Sequence, residues 1–245
     1  MQQLDFGIID AHIHQWDPYS TPHAAATAVK LLGKHPKLLD KMMRMLKPKD
    51  LIETLGLTQH VTSPYLPADY KADIGRYAVE QVVHVEASWH DHKGKGVIGE
   101  TEFISKLPFA QEGLKLGAIV GTADPRDSSF KKILKLHQKA SPKFRGIRKM
   151  AAAHEDRQIH AWADEPHLYI NKKFMKGFEA LAALDLSFDA WVYSTQLPDL
   201  IKLAKAFPET SIISDHFGTP AGLFGPVGAH TSITQTARKN ILFRW

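Results

Sequence analysis

Apolar positions gather along the chain into short runs rich in Val and Ile, at Phe6–Ala11, Gln81–Ala87, Leu116–Ala123, Phe144–Lys149, Leu186–Val192 and Ser211–His216. Runs of this length and composition predict buried strands. The segments between several of them carry helical periods. Phe130, Ile133, Leu134 and His137 fall at i, i+3, i+4 and i+7; Phe174, Phe178, Leu181 and Ala182 follow the same spacing within a turn's tolerance. Leu197, Leu200, Ile201 and Ala204 repeat it, with Pro198 near the first turn and Pro208 just past the end. Strands alternating with helices predict a parallel sheet layered with helices.

Two long connections interrupt this rhythm. The first, Trp16–Tyr77, holds Pro18, Pro22, Pro36, Pro48, Pro64 and Pro67, and one clear helix near Leu38–Leu46 with Leu38, Leu39, Met42, Met43 and Leu46 apolar. That Met-rich stripe reads either as a lid over a pocket or, more simply, as a helix packed on the domain's outside. The second, Ala151–Asn171, follows a strand end and carries His154, Glu155, Asp156, His160, Asp164 and His167.

A chain of 245 residues with 44% hydrophobic and 23% charged residues can build a large core, which excludes a disordered tail or a disulfide-stapled mini-domain. Cysteine is absent, so thiol catalysis and thiolate metal sites are excluded and the fourteen histidines are the remaining soft ligands. The formal charge of +5 is local. Between Lys30 and Lys49 seven basic residues face one acidic residue, a net of +6, and the rest of the chain carries −1. A solvated helix face accounts for this excess, so nucleic-acid binding is not predicted. No apolar stretch of about 18 residues could span a bilayer, and Asp5 interrupts the N-terminus where a signal peptide is apolar; a cytoplasmic location and no membrane contact are expected.

Candidate chemistry sits at strand ends. In Ile8-Ile9-Asp10-Ala11-His12-Ile13-His14, alternation sends His12 and His14 to one side, where they could hold one ion or one substrate oxygen; two exposed histidines are the plain alternative. His84 and Glu86 share a side of the next strand, and Glu86 suits either proton transfer or ligand orientation, or a buried salt bridge. Phe144-Arg145-Gly146-Ile147-Arg148-Lys149 supplies Arg148, whose planar fork matches a substrate carboxylate, while Arg145 suits structural pairing. The strand ending Asp215-His216-Phe217-Gly218 puts His216 at the same rim as His12 and His14 if the strands are parallel, unless it is a core histidine. Three imidazoles from two strands make a metal or oxyanion site. Trp16, Trp89, Trp162 and Trp191 could line a pocket or pack as core.

Asp10-Ala11-His12-Ile13-His14-Gln15-Trp16-Asp17-Pro18 resembles the opening of the amidohydrolase-2 family, metal-dependent hydrolases of barrel fold that include lactonases and some decarboxylases. The resemblance continues in order through Pro64–Tyr70, His84–Ala87, Arg145–Arg148, Gln196–Pro198 and Asp215–Gly218, nearly the whole chain. It implies a TIM-barrel-like (β/α)8 fold, here with about six strand-helix units in one incomplete domain over residues 1–245, interrupted by an insertion at about 16–77. It further implies catalytic His12, His14, Glu86, Arg148 and His216, a divalent ion such as Zn or Mn on His12, His14 and His216, and a small substrate touched by Arg148, Trp16 and Tyr193. A homo-oligomer is compatible with such a barrel.

Two departures qualify this. Where the family carries a histidine after the fifth strand, this chain reads Tyr193-Ser194-Thr195, and Ser194 is a poor metal ligand. Only 29 residues follow His216, fewer than the roughly 60 to 80 that two more strand-helix units need. The expectation is a truncated barrel with two open edges, ending near Phe243-Arg244-Trp245 inside a helix, and lacking the family's eighth-strand aspartate. The expected activity is hydrolysis of a small carboxylate-bearing lactone or related ester. The alternatives are decarboxylation on the same fold, a silent remnant or binding module, and a nuclease suggested by Ile98-Gly99-Glu100.

Overall fold

The computed structural model describes residues 6–47, 51–52, 55–91, 94–155 and 159–220. Its strands are β1 (Ile8–Ile13), β2 (Val79–Val85), β3 (Lys115–Thr122), β4 (Phe144–Met150), β5 (Ser187–Trp191) and β6 (Ile212–Ser214). Its helices are α1 (Ala26–Leu32), α2 (Pro36–Leu46), α3 (Gln59–Thr62), α4 (Pro67–Asp73), α5 (Gly99–Lys106), α6 (Phe130–Ala140), α7 (Lys172–Ala182) and α8 (Leu197–Ala206).

All adjacent strands pair in parallel, in the order β1-β2-β3-β4-β5-β6. A doubly wound sheet reverses its order at a switch point; an unreversed order puts every right-handed crossover on one face and curls the sheet as in a barrel. Six strands thus form a curled half-barrel. Among the described residues β1 and β6 do not pair, yet His12 of β1 comes within 3.7 Å of Asp215, the residue after β6. The two edges carry exposed apolar side chains, Ile9 on β1 and Ile213 on β6.

Helices α6 and α7 bury the stripes that their spacing marks; α8 does so at Leu200 but leaves Ile201, expected on the buried face, 53% exposed and buries Leu203 instead. Phe130, Ile133, Leu134 and His137 of α6, Phe174, Phe178 and Leu181 of α7, and Leu200 and Leu203 of α8 are buried. They meet Phe144, Ile147 and Phe188 from the sheet in the largest core. The Asn171 side chain caps α7, accepting from the Lys173 and Phe174 amides. Gly177 is required on that helix, because a Cβ there would fall 1.8 Å from the Pro125 carbonyl oxygen.

Strand ends depart from the apolar runs where side chains capture the backbone. β1 starts at Ile8, because Phe6 precedes its first partner and is exposed. β2 stops at Val85; beyond it the Ala87 amide goes to the Glu100 carboxylate and the Ser88 amide to Glu86. β6 stops at Ser214, where a 3-10 turn takes His216 to φ 52°.

The β1–β2 insertion forms its own small core of Val29, Leu39, Met43 and Ile52, so the Met-rich helix packs on the outside and is not the lid. Isolated bridges tie this insertion down, Trp16 to Tyr65 within it and His23 to Trp89 beyond β2. The described lysines and the arginine of the basic run, Lys30 to Lys47, all lie exposed. Lys49 and the helix expected at 243–245 lie outside the described residues. No described helix is long and apolar enough to cross a membrane.

Met43→Ala should cost about 2–5 kcal/mol in urea unfolding, since it empties the insertion's core. Leu38→Ala, on the same helix but 52% exposed, should change stability by no more than about 0.5 kcal/mol.

Candidate active site

Parallel strands bring their C-terminal ends to one rim, and the polar side chains there converge. On β1 the His12 and His14 rings stand edge to face with centroids 4.9 Å apart. His14 Nδ1 lies 2.8 Å from the Val85 carbonyl oxygen, so Nδ1–H donates there and Nε2 keeps its lone pair. Burial, then the positive charge of Arg148, push the His14 pKa down to about 3, against the pull of that carbonyl. Burial also lowers His12, although Asp215 opposes it. Both rings are therefore neutral near pH 7, suited to offer lone pairs rather than charge. His216, carried to the rim by the turn after β6, sits with its ring centroid 4.9 Å from His12 and 5.8 Å from Trp191.

Arg148 of β4 is almost wholly buried. Its Nε donates to Glu86 Oε1 at 2.8 Å and its Nη2 to the Glu86 carbonyl at 2.6 Å, while Nη1 stands 3.7 Å from Asp215 Oδ2. The guanidinium lies 5.7 Å from the Trp191 ring centroid. Burial disfavours its charge, but Glu86 and Asp215 outweigh that and raise its pKa above the ordinary arginine value. Glu86 also accepts from the Ser88 amide, so it forms a buried ion pair that fixes Arg148. Arg145 instead donates to the Pro142 and Phe144 carbonyls, and Lys149 pairs with Asp124 at 3.2 Å.

Two acids complete the rim. Asp189 of β5, opposite Arg148 in the register, was not a sequence candidate. Burial, then the Asp215 carboxylate, push its pKa up to about 7 in spite of Arg148. His12, Asp189 and Asp215 each bring a ligand atom within 4.8 Å of the others. His12 Nε2 and both carboxylate oxygens of Asp215 are buried without a hydrogen-bond partner among the described residues. Unpartnered carboxylate oxygens on Asp215, gathered with His12 and Asp189 into one small buried volume, fit a divalent cation.

Beside this rim opens a cavity of about 280 Å³, lined by His14, Arg148, His23, Trp16, Trp162 and Trp191 among others. Trp89 is buried, its indole N–H donating to the Gly96 carbonyl. Tyr193 does not line this cavity: it is buried, and its hydroxyl donates to the His160 carbonyl in the second long connection.

Below the cavity lies a second buried group. Glu100 Oε1 accepts from His23 Nε2 at 3.3 Å, His84 Nε2 at 3.4 Å and the Ala87 amide at 2.7 Å. Burial would raise Glu100, but the bonds from His23 and His84 dominate and hold it at about 2. One carboxylate thus joins the insertion, β2 and α5. His84 belongs to this cluster, whereas Glu86, two residues on, pairs with Arg148.

The amidohydrolase family model matches residues 9–233. A curated protein of Sinorhizobium fredii named Uncharacterized protein y4mH is 28% identical over 214 residues, 87% of this chain and 63% of that protein. An L-fucono-1,5-lactonase of Burkholderia ambifaria is 38% identical over 79 residues, 32% of this chain and 24% of that enzyme. Among solved structures, an amidohydrolase from Burkholderia multivorans with bound zinc matches with TM-score 0.56 at 20% identity, covering 94% of this chain and 63% of its own. The chain therefore spans less than two thirds of the length of these relatives.

Glu100→Ala should destabilise the fold by about 3–5 kcal/mol, because it strands buried donors. The ionised Glu100 also makes stability pH-dependent. Its folded pKa is depressed from 4.5 to about 2, so its contribution is whole above 4.5 and is lost as pH falls toward 2. Urea unfolding at stepped pH should show that slope in the wild type, less steeply in Glu100→Gln.

Proposed function

The chain belongs to the amidohydrolase family, and from that premise we propose that it hydrolyses a small carboxylate-bearing lactone or related ester. The observation that carries this reading is the convergence of neutral His12 and His14 with His216, where His14 and Arg148 also line a tryptophan-walled cavity. The lactonase and the zinc-bound amidohydrolase among its relatives support it.

In this reading water oxygen bonds to the carbonyl carbon, the ring C–O bond breaks, and the water's proton ends on the departing oxygen to give a hydroxy acid. Trp16, Trp162 and Trp191 exclude water from the ring and hold its apolar face. His12, His14 and His216 polarise the carbonyl or hold a divalent ion, Zn or Mn, whose chemistry when bound is that of a Lewis acid. Glu86 orients Arg148, because both its carboxylate oxygens are engaged, by the guanidinium and by the Ser88 amide. Arg148 has Nε and Nη2 turned to Glu86, so a substrate carboxylate meets it at Nη1. The cytoplasmic setting expected from the sequence belongs to the same proposal.

Hydrolysis in ¹⁸O-labelled water should place the label in the product carboxylate with no release of carbon dioxide, whereas decarboxylation would give the reverse. A charge-assisted hydrogen bond at Nη1 is worth about 1.5–3 kcal/mol, so a carboxylated lactone should show a KM roughly tenfold or more below its neutral analogue. Equal KM values would reduce Arg148 to a partner of Glu86. His12→Asn should lower kcat by about a hundredfold or more.

A further inference from the structure

We infer that Asp189 and Asp215 are ligands of a divalent cation, completing with His12 a site whose anionic half comes from β5 and the turn after β6. This rests on the metal-assisted form of the reading above and adds two residues to it.

The argument begins with charge. Asp189 and Asp215 are both buried, 5% and 2% exposed, and share one small volume with His12. The fixed cation beside them, Arg148, is already joined to Glu86 through Nε and Nη2 and reaches Asp215 only at 3.7 Å. One guanidinium facing three carboxyl groups leaves negative charge uncompensated in a dry place, which is costly. The second observation is independent of that count. Both oxygens of Asp215 and Nε2 of His12 are buried with no hydrogen-bond partner among the described residues, although a carboxylate offers about four acceptor sites. Buried acceptors are left bare where something outside the chain satisfies them. A cation answers both observations together, because it supplies the missing positive charge and takes lone pairs from each of the three groups. Mixed imidazole and carboxylate donors favour zinc or manganese over calcium.

The geometry also separates this role from a structural one. Glu100, which braces the fold, takes three donors on Oε1, from His23, His84 and Ala87, and only its Oε2 is bare among the described residues. Neither oxygen of Asp215 has a hydrogen-bond partner among the described residues, and its contacts are the longer ones to Arg148 and His12, each 3.7 Å.

The test is zinc alone, titrated into the full chain in competition with a chromophoric chelator, with melting temperatures recorded with and without the metal. Asp189→Asn and Asp215→Asn should each weaken zinc binding about tenfold or more and shrink the rise in melting temperature that zinc produces. Asp185→Asn, exposed on the loop before β5, should leave affinity unchanged. Cobalt(II) bound to the wild type should show visible bands that shift in both site variants. Zinc affinity within twofold of wild type in both variants overturns the inference, as does a wild type that takes up no zinc or variants that lose their fold without metal. Lactone hydrolysis separates the two readings. Turnover by a wild type that takes up no zinc removes the ligands and keeps the hydrolase; zinc binding that both substitutions weaken, without turnover, keeps the ligands and removes the lactone.

Discussion

A guanidinium that cannot lose its proton, placed where water scarcely reaches, constrains everything around it. Arg148 is 4% exposed, and a buried charge must be paired and hydrogen-bonded or the fold does not tolerate it. Glu86 meets this demand from β2, two strands away, and is itself braced by the Ser88 amide in the bend that ends that strand. The end of β2 is therefore shaped by the needs of β4. The same charge helps to keep His14 neutral and lessens the repulsion between Asp189 and Asp215. The chemistry open to the rim, with lone pairs on β1 and carboxylates on β5 and β6, is set by one residue that need not take part in it.

The half-barrel was legible because its signals are local. Short apolar runs rich in Val and Ile gave six strands and the three-and-four spacing gave α6, α7 and α8, with end shifts of up to two residues, at β2 where Glu86 and Glu100 draw amides out of the ladder. The placement of His12 and His14 on one side follows from alternation within a single strand, and needs no knowledge of the neighbours. Asp189 was harder to read. It stands between Phe188 and Ala190 in an otherwise apolar run, and that lone acid was the available signal, but its meaning depends on Arg148 and Asp215, which lie far away in sequence. Tyr193 shows the opposite case: beside a strand end it looks like a wall of the pocket, yet its hydroxyl finds a carbonyl in the second long connection. Glu100 first drew notice through a short motif match; its role as the acceptor that joins three elements could only come from packing.

The insertion between β1 and β2 has a different standing from the sheet. Its own core is small, four buried apolar residues among those described, while it contributes His23 and Trp16 to the cavity. Sites that must admit and release small molecules draw on such locally supported segments, because they can yield without disturbing the main core. The Trp16–Tyr65 stack and the His23–Glu100 contact set how far this one can yield.

The approach of His12 to Asp215 also bears on how the protein reaches its shape. These residues stand about two hundred positions apart, at opposite edges of the sheet, and every intervening strand must be in register before they meet. Contacts of such sequence separation form late, since the chain entropy they consume is recovered only once the local pairings exist. Closing the reactive rim thus costs chain entropy that only the complete set of strand pairings repays. Anything bound between those two edges would hold the curl of the whole sheet and delay its unfolding.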